Sequence, residues 1–154
     1  MLSQSRVGEW KSYPSFLNVR ETIEVGDLLV SATSGGILLY DREALSFETV
    51  TNIDGLVETD LSVIAEDGNG HLWLGGAAPN GTVQIYDLAK RQSVKIFNFD
   101  LWEVTSFAVS DSVVCAAYSK DGQWGILEFV MQNGEFSYRQ IYNPSDESLE
   151  SING

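Results

Sequence analysis

The chain has 154 residues, 44% of them hydrophobic, with 9 Lys and Arg against 22 Asp and Glu and a net charge of −13. That length fits about one domain, and the apolar content supports a packed core rather than general disorder. The acidic balance argues against a nucleic-acid partner and against docking on an anionic membrane, and it leaves cationic or neutral partners such as a peptide or a glycan.

Residues 1–13, MLSQSRVGEWKSY, lack the apolar centre of a signal peptide, so the protein is cytoplasmic or its export signal lies elsewhere. No apolar run approaches the roughly 18 residues of a transmembrane helix, and no membrane insertion is expected. Beyond residue 20, short β-rich runs succeed one another: DLLVSAT, GILLYD, SFETVT, LSVIAE, HLWLGG, TVQIYD, SVKIFNF, TSFAVS, SVVCAAY, GILEFV and FSYRQIY. Each is bounded by Gly, Asn or Asp, and none carries apolar residues at helical spacing over any length. The DGNG at 67–70 and the Asn-Gly pairs at 80–81 and 133–134 suit hairpins, because these residues tolerate positive φ. Cys115 sits in an apolar run and has no partner for an internal disulfide, which predicts a buried, inert thiol.

The runs recur in a fixed order. Gly36, Gly81 and Gly125 each open a strand, 45 and 44 residues apart. ILLYD, VQIYD and ILEF align after them, and LLVSAT, LWLGG and VVCAA align before them. Each unit thus holds four strands in about 44 residues, the size of one β-propeller blade. A β-sandwich is the competing architecture, but it does not require four-strand units to repeat in register. The expected fold is all-β: about three four-stranded antiparallel blades at 21–60, 61–103 and 104–148, with the start of a fourth at 149–154. Propellers close with roughly four to eight blades, so the ring is expected to be incomplete. Open blade faces would be covered by remaining blades of a longer protein or by self-association. Residues 1–20, with Trp10 and Tyr13, read as an outer strand that fastens the ring.

Asp67, Asn69 and His71 are the first candidates for chemistry. Alternate oxygen ligands and a glycine can open a calcium loop, but that loop needs a later bidentate carboxylate, and LWLGGAAPNG supplies none. A tight hairpin is the expectation, with no metal and no cofactor. Trp73 is expected in the core, Gly75 and Gly76 at a close approach or bulge, and the NGT at 80–82 in a turn. No Ser-His-Asp set, phosphate loop, CxxC or HExxH is present.

The stretch DGLVETDLSVIAEDGNGHLWLGG at 54–76 resembles the two-component regulator propeller repeat. The matching residues are Asp54-Gly55-Leu56, Val63-Ile64, Glu66-Asp67, Gly70, Leu72-Trp73-Leu74 and Gly75. The other two units keep the apolar strands and lose the Trp, and Gly75-Gly76 stands where the family has Gly-Thr. The opening strand and degenerate repeats also resemble the N-terminal propeller of type IX secretion accessory proteins. These resemblances imply an exported bacterial protein, periplasmic or at the cell surface, that senses ligands for a two-component system or assists surface secretion.

Propeller ligands often sit on the face formed by the loops after each fourth strand and before each third. Here those loops fall near 52–60, 98–103 and 143–148, and near 34–35, 77–80 and 119–124. They carry Asp54, Glu58, Asp60, Asp100, Glu103, Asp121, Asp146 and Glu147, with Phe99, Trp102, Tyr118 and Trp124. Trp102, Trp124, Tyr118, Asp100, Glu103 and Asp121 are the candidate ligand-binding residues: exposed aromatics beside acids suit a sugar or a cationic peptide. No catalytic residue is assigned. The alternative is a propeller enzyme, a polysaccharide or lactone lyase or a hydrolase, working through loop carboxylates.

Overall fold

The structure is a computed structural model that describes residue 16 and residues 18–143. The expected ring-closing segment lies almost entirely outside the described residues, and the expected fourth unit lies wholly outside them. Twelve strands are described. The first four are β1 (Val19–Val25), β2 (Leu28–Thr33), β3 (Gly36–Asp41) and β4 (Ser46–Val50). The next four are β5 (Leu61–Glu66), β6 (His71–Gly76), β7 (Gly81–Asp87) and β8 (Gln92–Leu101). The last four are β9 (Glu103–Val109), β10 (Val113–Lys120), β11 (Gln123–Gln132) and β12 (Glu135–Tyr142).

Each set of four forms its own antiparallel sheet, with strands paired in chain order. Hairpin connections dictate this arrangement, since each turn returns the chain beside the strand it has just left. The sheets stack face to face. β1 and β2 pack on β5, and β5, β6 and β7 pack on β9.

Alternation along the middle sheet serves both neighbours. Successive side chains of a strand point to opposite faces. Ile64, Leu72, Leu74 and Tyr86 pack into one core with Val30, Ala32, Ile37, Leu39 and Val50 of the first sheet. Val63, Trp73, Val83 and Ile85 pack into a second core with Val104, Val114, Leu127 and Phe129 of the third. Every residue of β7 is therefore buried, polar Thr82 and Gln84 included. Gln84 is held because its Oε1 accepts the Val57 N–H at 2.6 Å and its Nε2 donates to the Glu58 carbonyl at 3.4 Å.

The inner strands are also stitched together. The Glu21 carboxylate accepts the Ile64 N–H at 2.7 Å, and the Ser62 hydroxyl donates to the Val104 carbonyl at 2.5 Å. Each bond crosses from the first strand of one sheet to the first strand of the next.

The three repeated glycines have a steric basis. A Cβ on Gly36 would run into the Val50 carbonyl oxygen. One on Gly81 would lie 2.7 Å from the Glu103 nitrogen, and one on Gly125 would lie 2.5 Å from the Tyr118 hydroxyl. Only Gly36 also takes a positive φ, at +127°. Gly36 and Gly81 open their strands, whereas Gly125 is the third residue of β11, which starts two residues earlier than expected; each of the three is a point of close approach.

Candidate functional site

The turn at 67–70 organises itself around one carboxylate. Asp67 Oδ1 accepts the backbone N–H of Asn69 at 2.8 Å and of His71 at 3.3 Å. Its Oδ2 accepts Trp73 Nε1–H at 3.3 Å and lies 3.1 Å from His71 Nδ1. The Asp67 side chain is only 2% exposed, and these donors satisfy it. The residues that look like metal ligands therefore close a hairpin and anchor an indole. Among the described residues, no group of three His, Cys, Asp or Glu is placed to hold a metal ion. Asp67→Ala is expected to cost about 2–3 kcal/mol in urea denaturation, because it strands the buried Trp73 N–H. A loss within about 0.5 kcal/mol of zero, the range of neutral surface changes, would reject that role.

Cys115 is half-buried in β10. Burial first, and then the Glu128 carboxylate paired across from it, push its thiol pKa up, away from the reactive thiolate.

A cleft of about 500 Å³ gathers three of the six candidates, Asp100, Trp102 and Asp121. Pro79, Leu101, Ser119, Lys120 and Gly122 complete its lining. The cleft joins the connection before β7, the β8–β9 junction and the β10–β11 turn, so it lies on the loop face that carries the candidates. Trp102 is 55% exposed, and its backbone N–H donates to the Ser119 carbonyl at 2.9 Å, which fixes the junction to the neighbouring turn. Lys120 Nζ donates to the Phe99 carbonyl at 3.1 Å and stands 3.9 Å from Asp100. Asp100 is fully exposed, so that ion pair adds little.

The other candidates require correction. Tyr118 is not an exposed loop aromatic. It lies in β10, 5% exposed, facing the second core, because it is paired across from Gly125, whose missing side chain leaves room for the phenol. Phe99 is likewise half-buried, its ring 4.9 Å from Tyr138. Glu103 is a strand residue of β9 and does not line the cleft. Trp124 is 67% exposed, but it lies in β11 opposite Ser119 and is absent from the cleft wall.

Two expected loops are short. The connection at 119–124 is only Asp121-Gly122, both at positive φ, because β10 and β11 extend to meet it. The connection at 98–103 is only Trp102. β8 absorbs the rest through a bulge, with Gly81 opposite Leu101 while Thr82 lies opposite Asn98. Asp100 takes φ +56° there, and its N–H bonds Asn98 Oδ1 at 2.9 Å. The Asp-Gly pair between apolar runs was the available signal for the short turn. No local pattern marks Pro79 or Lys120, which reach the cleft only by packing.

Comparison with solved structures decides the architecture. A chain of the S. cerevisiae Dbp5 complex with Nup159, Gle1, IP6 and ADP superposes with a TM-score of 0.58 at 22% identity, over 86% of this chain and 32% of that one. The N-terminal domain of Nup159 gives 0.57 at 23%, over 96% and 36%. A chain of the mitotic checkpoint complex gives 0.57 at 11%, over 92% and 46%. The fold is that of β-propeller blades. This chain spans less than half the length of each of these propeller chains. No family model and no curated protein matches it. The three sheets are therefore three consecutive blades, and the cleft sits at the seam of the second and third.

Proposed function

We propose that these blades form a non-catalytic binding module that takes a basic peptide segment of a protein partner against Trp102. The exposed Trp102 indole, in a cleft on the loop face that Asp100 and Asp121 also line, carries this reading. A Lys or Arg side chain laid on that ring gains cation–π attraction, and the cleft lining holds two carboxylates, Asp100 and Asp121, against one cation, Lys120. The net charge of −13 draws a cationic partner toward the protein and repels an acidic one. The solved neighbours include chains from structures of protein assemblies, which supports a protein partner.

The resemblance at residues 54–76 supports the finer reading of ligand sensing for a two-component system, and the resemblance of the Trp10–Tyr13 sequence and the degenerate repeats supports assistance to surface secretion, in the periplasm or at the cell surface. Localising the tagged native protein by fractionation tests that; a cytoplasmic pool alone overturns it.

Binding is tested by calorimetry of the intact protein against Lys/Arg-rich, neutral and acidic peptide panels and a glycan panel. Trp102→Ala is expected to weaken the basic-peptide affinity by about tenfold or more, as for an aromatic anchor of an interface. Asp100→Asn with Asp121→Asn is expected to weaken it further and to flatten its salt dependence. Unchanged affinity in both variants, or binding confined to glycans, rejects the reading.

A further inference from the structure

We propose that Asn133 is a site of spontaneous backbone modification, and that the fold selects it over the other described Asn-Gly pairs. The pair is the chemically susceptible unit because glycine places no side chain in the way of attack. The Gly134 nitrogen, once its proton has passed to hydroxide, attacks Asn133 Cγ. A Cγ–N bond forms, the Cγ–Nδ2 bond breaks, and ammonia leaves with a proton from water. Water then opens the five-membered imide at either carbonyl, giving aspartate or isoaspartate. Only water and hydroxide are consumed, and nothing is oxidised or reduced.

Four Asn-Gly pairs occur in the sequence, at 69–70, 80–81, 133–134 and 153–154. The last lies outside the described residues, and the fold treats the other three differently. Gly70 N–H donates to the Glu66 carboxylate at 3.4 Å. Asn69 is tied at both ends, its N–H to Asp67 Oδ1 at 2.8 Å and its Nδ2 to the Asp67 carbonyl at 3.4 Å. Gly81 is buried in β7, paired with Leu101, and the Glu103 backbone crowds it.

Asn133-Gly134 is the two-residue tip of the β11–β12 hairpin, with φ of +53° and +80°. Both residues are exposed, and nothing lies within 4 Å of the position a Gly134 Cβ would take. Neither side chain nor backbone at this tip is held as the other two pairs are. The attacking nitrogen and the amide carbon are therefore free to approach without opening any other part of the blade.

The consequence reaches the seam between blades. Isoaspartate carries the chain through an extra backbone carbon, which a two-residue turn with Gln132 opposite Glu135 does not accommodate. Phe136 follows at once, its ring centroid 4.8 Å from that of Trp73. Gly134 itself borders a groove of about 270 Å³ between the second and third blades, walled by Ile85, Val94, Lys95 and Phe136. Conversion at Asn133 thus adds a carboxylate beside Glu135 and loosens the strand that holds Phe136 against the core.

The test is incubation of the intact chain at mildly alkaline pH, with peptide mapping by mass spectrometry and enzymatic labelling of isoaspartate. Residue 133 is expected to convert about tenfold or more faster than residues 69 and 80, since a held site reacts only from its locally open population. In denaturant, the three sites are expected to convert at comparable rates. Asn133→Gln is expected to remove the early product and leave the other sites unchanged. Conversion at 69 or 80 as fast as at 133 in the folded chain overturns the proposal. So does an intact Asn133 in the folded chain under conditions where the unfolded chain converts.

Discussion

Trp73→Ala is expected to destabilise the chain by about 4 kcal/mol, the largest single-residue loss in the described blades. The indole is fully buried at the seam of the second and third blades. Its ring centroid lies 4.8 Å from Phe136, 5.3 Å from Phe129 and 6.2 Å from Phe107, all contributed by the third blade. Truncation removes apolar area from both blades at once and leaves a cavity that paired strands cannot close by collapsing. It also deprives Asp67 of the indole N–H, so the hairpin turn loses one of its ties. Trp73→Phe retains most of the packing and is expected to cost about half as much, because it gives up the hydrogen bond and part of the ring volume. Urea denaturation followed by circular dichroism measures both. A loss below about 1 kcal/mol for Trp73→Ala would mean that the seam does not depend on this ring.

The second large effect is steric. Gly36→Ala is expected to cost about 3 kcal/mol or more, from a left-handed backbone and overpacking together. The new methyl group meets the Val50 carbonyl, which is backbone and pairs with Ile37 in the β3–β4 ladder. No rotamer change relieves that contact. Gly26→Ala is the control: Gly26 has φ +58° but nothing within 4 Å, so only the backbone term remains, about 1 kcal/mol. Gly81→Ala is the converse, a crowded position without a positive φ, where overpacking against Glu103 and Leu101 is expected to cost about 1–3 kcal/mol. Equal losses at Gly36 and Gly26 would show that φ, and not the approach of the fourth strand, selects the glycine.

These glycines mark where the sequence is informative. Their spacing was visible as a repeat, and so were the strands on either side, because alternation and turn chemistry are local properties. β2, β3, β5 and β6 occupy the runs LLVSAT, GILLYD, LSVIAE and HLWLGG. The same local logic assigned 67–70 to a hairpin over a metal site, and the carboxylate of Asp67 supplies the reason by turning inward to the turn's own donors. The site was less legible. Asp100, Trp102 and Asp121 were foreseen as neighbours of a loop face and do share a cleft. Tyr118 ends the run SVVCAAY beside the expected loop at 119–124, and was counted with that loop's aromatics; β10 continues past it to Lys120. The missing side chain of Gly125, paired across from it, lets the Tyr118 ring turn into the core.

The sequence by itself determined the strands, the turns and the grouping into four-stranded units, since each depends on neighbours within a few residues. Tertiary structure decided which aromatic rings are buried, which residues from three connections meet at the Trp102 cleft, and why glycine recurs near the start of each third strand. Those outcomes depend on the distance between segments some tens of residues apart, which the packing of whole sheets sets and no local pattern encodes.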